Sequence, residues 1–117
     1  MKEELIQILE TFCPDDVYLQ GTLNPETPYP QKFITFFTTD SEFDQFYDDN
    51  ANKTNWHLSV IFYSNNPQEV LEIPPQIIRA LWAAGFIPEN AGTDMLSDYA
   101  THTGWAMDFV YQEKYTY

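Results

Sequence analysis

The sequence is short of basic residues, glycine, cysteine and long apolar runs, and each shortage excludes something. Five Lys and Arg stand against 18 Asp and Glu, a net charge of −13. A nucleic-acid binder needs a basic stripe to neutralise phosphates, and anionic membranes attract basic segments. Neither partner is expected. The single cysteine, Cys13, admits no intrachain disulfide, so nothing points to an oxidising compartment. With Pro14 after it and no His near it in sequence, Cys13 reads as a small buried hydrophobe rather than a nucleophile. Only four glycines are present, far apart, so no loop is built to cradle a phosphate. No window holds the roughly 20 apolar residues that a spanning helix requires. The charged start, Met1-Lys2-Glu3-Glu4, does not read as a signal peptide. A soluble protein made in the cytoplasm is the expectation.

What is present is aromatic. The chain of 117 residues is 44% hydrophobic and carries nine Phe, eight Tyr and three Trp, whereas disordered acidic chains are poor in aromatics. The length suits one folded domain over residues 1–117.

Leu5, Ile6, Ile8, Leu9 and Phe12 share one helical face, which predicts a helix over 3–12 ended by Pro14. Residues 17–23 predict a strand, followed by a rigid extended loop at Asn24-Pro25 and Pro28-Tyr29-Pro30. The run Phe33-Ile34-Thr35-Phe36-Phe37-Thr38 suits a strand buried on both faces. Residues 39–55 crowd Asp40, Glu42, Asp44, Asp48 and Asp49 among Phe43, Phe46 and Tyr47. They read as a long exposed connection with a short helical turn near Glu42–Phe46. In 56–64, Trp56, Leu58, Val60 and Phe62 alternate with His57, Ser59, Ile61 and Tyr63, a strand.

A helix follows, with Asn66 as N-cap, Pro67 at the first position and Glu69 completing a capping-box pattern. Ile77, Ile78, Leu81 and Trp82 mark its buried stripe and Gly85 its C-terminal cap. Pro74-Pro75 either kinks this helix or divides it, and a break is the favoured reading. Residues 87–101 read as a loop. Residues 104–114 form the last strand, with Trp105, Met107, Phe109 and Tyr111 on one face. The order α-β-β-β-α-β predicts an α+β two-layer sandwich. An antiparallel or mixed sheet of about four strands would carry the N-terminal helix and one main helix.

Chemistry-bearing patterns are scarce. Calcium-loop registers from Asp40 or Asp48 fail, because Gln45 and Ala51, or Lys53 and Ser59, stand where Gly and Glu are needed. His57 and His102 lack metal-ligand spacing with Asp94 or Asp98. No serine lies in a nucleophile-elbow motif. No catalytic residue, metal site or cofactor is expected, and the chain does not read as an enzyme. Two binding roles remain: an assembly subunit, or an acidic DNA-mimic inhibitor of a nucleic-acid enzyme.

A resemblance favours the first. Tyr29-Pro-x-x-Phe33-Ile-Thr-Phe-Phe-Thr-Thr precedes Phe46-Tyr47-Asp48-Asp49-Asn50 and a strand through Val60-Ile61-Phe62-Tyr63. A helix ending Ala84-Gly85-Phe86 and a last strand from Thr103-Gly104 through Phe109 and Tyr111 complete the pattern. It resembles the tail-terminator (tail-completion) proteins of siphophages and Gram-positive prophages, over about residues 1–114. Pro74-Pro75 departs from the uninterrupted helix of that family. The resemblance implies an α+β ring subunit, a hexamer in the virion tail or neck, assembled in the host cytoplasm. The ring would cap the tail tube, end its polymerisation and meet the head–tail connector protein. Phe46, Tyr47, Asp48, Asp49 and Asn50 are the assembly-interface candidates.

Overall fold

The computed structural model describes residues 2–14, 16–19, 31–44, 51–96 and 102–116. The chain runs α1 (Lys2–Glu10), β1 (Val17–Leu19), β2 (Lys32–Asp44), β3 (Ala51–Ser64), α2 (Pro67–Ala83), β4 (Ile87–Pro88), β5 (Thr93–Leu96) and β6 (Thr103–Thr116). It is an α+β fold with two helices and a mixed six-stranded sheet in the order β1-β2-β3-β6-β4, with β5 also on β6. β1 runs parallel to β2, and every other pair is antiparallel. The sheet thus has two short strands beyond the expected four, both in the segment 87–101 that reads as a loop. β4 and β5 add only two and four residues to the edge of β6, too few for strand alternation to register in sequence.

One face of the sheet carries the core. Ile34 and Phe36 of β2, Leu58, Val60 and Phe62 of β3, and Met107 and Phe109 of β6 meet Leu5 and Leu9 of α1 and Ile77 and Leu81 of α2. The period of two in the strands and of about 3.6 in the helices brings these residues to one interface. β2 is buried on both faces from Phe33 to Phe36, as its β-branched and aromatic run predicts. On the second face Phe33 stacks on Tyr63 with centroids 4.8 Å apart, and the buried His102 lies 5.9 Å from the Phe33 ring.

The segment 39–55 departs from expectation. No helical turn forms in its described residues, which are strand. β2 continues to Asp44 and β3 starts at Ala51, with the ladder unbroken from Asp40↔His57 to Asp44↔Lys53. Acidic residues disfavour strands intrinsically, but charge is tolerated and useful on an edge strand, and the ladder to β3 and β6 decides the outcome.

Pro74 and Pro75 do not break α2, which is continuous over 17 residues with both prolines inside. Each proline removes an N–H donor and crowds the carbonyl one turn back, at about 3 kcal/mol. The ring of Pro74 is buried, and the fully buried Ile77 and Leu81 follow it. Packing on the sheet therefore outweighs the local cost.

The N-terminus of α2 is capped as the sequence suggests, with one change. Asn66 Oδ1 accepts from the Gln68 N–H at 3.0 Å. Glu69 does not reach back to the Asn66 N–H. The buried Ser64 stands between them, accepting from that N–H at 3.0 Å and donating to Glu69 Oε1 at 3.4 Å. At the other end the Gly85 N–H donates to the Trp82 carbonyl and the Phe86 N–H to the Leu81 carbonyl, a Schellman closure with Gly85 at φ +99°. It drives Phe86 into the core. Trp82, expected in the buried stripe, is exposed. It lies about 100° round the helix from Leu81, away from the sheet.

Candidate assembly surface

The most unusual feature is a three-stranded ribbon. β2, β3 and β6 have 13, 14 and 14 residues, far more than the stretch that faces the helices. Their pairing runs without interruption to Asp44↔Lys53 on one side of β3 and Ala51↔Thr116 on the other. From Phe37 to Asp44 the ribbon extends about 25 Å at strand rise. The molecule is drawn out to 53 × 28 × 22 Å, with a radius of gyration of 15.6 Å. A compact chain of this size would have roughly 13 Å.

Both ribbon edges lack a described strand partner. β1 covers β2 only at Ile34–Phe36. β4 and β5 cover β6 at Pro88↔Phe109, Ile87↔Val110 and residues 103–106. Among the described residues no strand other than β3 pairs with β2 beyond Phe36 or with β6 beyond Val110. Such edges are templates for another strand. The β2 edge is guarded. A bulge interrupts its register between Thr38 and Asp40. Thr39 Oγ1 ties the bulge down by donating to the His57 carbonyl at 3.1 Å, and Asp40 Oδ1 accepts the Ser41 N–H at 2.8 Å. Asp40, Glu42 and Asp44 recur along it at every second position. Bulges and charge on an edge discourage unprogrammed pairing.

The root of the ribbon holds two buried polar atoms, Thr38 Oγ1 and Trp56 Nε1, that find no hydrogen-bond partner among the described residues. Each costs about 1–3 kcal/mol relative to a satisfied group. Lys2 Nζ lies 6.0 Å from the Trp56 ring centroid, which ties the start of α1 to the same region.

On the side of the sheet away from the helices, Thr39, Asp40, His57, Leu58, Glu89 and Asp108 line an open cleft of about 380 Å³. His57 Nδ1 lies 3.0 Å from Glu89 Oε1. Asn90 Nδ2 donates to Asp108 Oδ2 at 2.9 Å. A His–carboxylate pair can orient an imidazole, but the hydroxyl beside it, that of Thr39, is engaged by the backbone. Among the described residues no three His, Cys, Asp or Glu converge as metal ligands. His57 and His102 are not brought together: His57 pairs with Val110, and His102 directly precedes Thr103 at the far end of β6, about 25 Å away at strand rise. Asp94 pairs with Trp105 on β5, far from His57.

Cys13 is buried in the main core. Burial pushes its thiol up from 9.0 to about 11; Lys32 pulls it down, and Asp16 and Glu69 add to the rise. It is a weak nucleophile there.

Phe46, Tyr47, Asp48, Asp49 and Asn50 lie outside the described residues, between the end of β2 at Asp44 and the start of β3 at Ala51. The ribbon that flanks them was missed in sequence. Its only signal there was the period-two placing of Asp40, Glu42 and Asp44. No described helix is long and apolar enough to cross a membrane. The chain matches no protein-family model and no curated protein.

Proposed function

We propose that this protein is a structural subunit of a phage tail or neck. It caps the tail tube as a ring, hexameric in the related family, ends tube polymerisation and joins the tube to the head connector. The observation that carries this reading is the long β2–β3–β6 ribbon with two open edges. A monomer that only had to bury its core would not need strands of 13 and 14 residues. A ring subunit uses such edges and projections to meet its neighbours and the tube. The element order and the continuous α2 support the likeness to tail terminators that the residue pattern suggests. The guarded β2 edge fits a subunit that stays unassembled until the tube end supplies a partner.

The acidic DNA-mimic reading draws less support. The described acids fall in separate places, among them Glu3, Glu4 and Glu10 on α1, Asp40 to Asp44 on the ribbon edge, Glu69 and Glu72 on α2, Asp94 on β5, and Glu89 and Asp108 at the cleft. They do not follow one phosphate-like track.

Electron micrographs of cognate tail tubes mixed with the purified protein test the proposal. A discrete ring at one tube end is the expected result. Bare tube ends at saturating protein contradict it.

A further inference from the structure

The outer face of α2 carries an apolar seam that the fold leaves uncovered. Leu71 is 71% exposed and Trp82 60% exposed. Pro75, also exposed, and Ile78, half-buried, lie between them. The four residues stand at i, i+4, i+7 and i+11, the alternating spacing of a helix–helix seam. They span about 16 Å along the helix axis. Exposed large apolar side chains in a row mark an interaction surface.

The seam is self-complementary. If a second α2 is laid against it antiparallel, Leu71 meets the second copy's Trp82 and Pro75 meets its Ile78. The charges flanking the seam follow the same symmetry. Glu72 follows Leu71, and Arg79 follows Ile78. In the antiparallel arrangement Glu72 of each copy flanks the seam beside Arg79 of the other. Arg79 is the only arginine in the chain, it is exposed, and among the described residues it makes no ion pair. In a molecule of net charge −13 this one cation sits beside the exposed Trp82. A parallel pairing would carry Glu72 and Arg79 of the second copy to the opposite side of the seam, where they could not meet.

We propose that α2 pairs antiparallel with α2 of a second copy of this chain, about a two-fold axis between Gln76 and Ile77. The contact is isologous, so one helix face supplies both halves of two Glu72–Arg79 pairs. A seam of four side chains falls at the small, transient end of interface sizes, so the dimer is weak and concentration-dependent. The contact uses neither ribbon edge and does not rest on the tail-capping reading.

Sedimentation equilibrium over roughly 1 to 500 μM, at salt that shortens the Debye length to about 8 Å, tests it. The expected result is a reversible monomer–dimer equilibrium. Trp82→Glu weakens it at least tenfold with unchanged circular dichroism, because position 82 is exposed. Glu72→Arg and Arg79→Glu each weaken it, and the double reversal restores it. Residues 72 and 79 are two turns apart on one helix, so rescue reports contact between copies. A monomer at every concentration overturns the proposal. So does a dimer that ignores Trp82→Glu, or a double reversal no better than the single changes.

Discussion

Trp105 and Gly92 are fitted to one another at the edge of the sheet. The indole Nε1 of Trp105 donates to the Ala91 carbonyl at 2.9 Å and occupies the space where a Cβ on residue 92 would stand. Gly92 also holds φ at +109°, where side chains other than glycine's are strained. This fit lets the chain pass from β4 to β5 while both remain paired with β6. Gly92→Ala should therefore destabilise the protein by about 2–4 kcal/mol, from backbone strain and the displaced indole. Chemical denaturation monitored by tryptophan fluorescence measures it. A midpoint equal to that of the unsubstituted protein would show that the loop adapts freely.

Cys13 gives a pH dependence. Above pH 9.0 the unfolded thiol loses its proton, while the folded thiol keeps its own up to about pH 11. The folded state then binds the extra proton, so stability is full below about pH 9 and falls as pH rises to 11. The loss attributable to this group is at most about 3 kcal/mol. Cys13→Ala, compared with the parent protein across this range, isolates it: the parent should lose more stability than the variant. In the native protein at neutral pH the thiol should react with a thiol reagent only as fast as the chain opens. Immediate labelling would contradict its burial.

The sequence made much of this arrangement legible, for identifiable reasons. Leu58, Val60 and Phe62 alternate with polar or second-face residues, and that alternation survives folding because one side meets the helices. Asn66, Pro67 and Gly85 act through local geometry, so their capping roles are visible without knowing the tertiary fold. Asp40, Glu42 and Asp44 misled because strand formation there depends on β3 and β6, whose residues are distant in sequence. Pro74 and Pro75 misled in the opposite direction: the local penalty is real, and burial of Ile77 and Leu81 exceeds it. Trp82 looked like core because it adjoins Leu81, but adjacent helical residues point in different directions.

Thr38 tests the root of the ribbon. Its hydroxyl is buried and has no hydrogen-bond partner among the described residues. Replacing it by the nearly isosteric valine removes an unsatisfied group and should stabilise the free protein by about 0.5–1.5 kcal/mol. Thermal unfolding at matched concentration measures the change. A destabilised Thr38→Val variant would mean that the hydroxyl is used in the folded molecule.

Tyr47 and Asp49 belong to the segment that joins the ribbon strands in sequence. Replacing both with alanine should weaken docking on tail tubes by at least tenfold while leaving the unfolding midpoint nearly unchanged. Co-sedimentation with tubes reads the first quantity and denaturation the second. Undiminished docking would remove this segment from the interface.

The central claim is that the protein ends tube growth, and the length distribution of tail tubes polymerised in its presence tests that claim most directly. Cognate tube protein is induced to polymerise with increasing amounts of the purified chain, and lengths are read from electron micrographs. The account predicts tubes that stop growing once capped, with mean length falling as the ratio of this protein to tube protein rises. Tubes that keep elongating at saturating protein, with lengths equal to those grown without it, would contradict it.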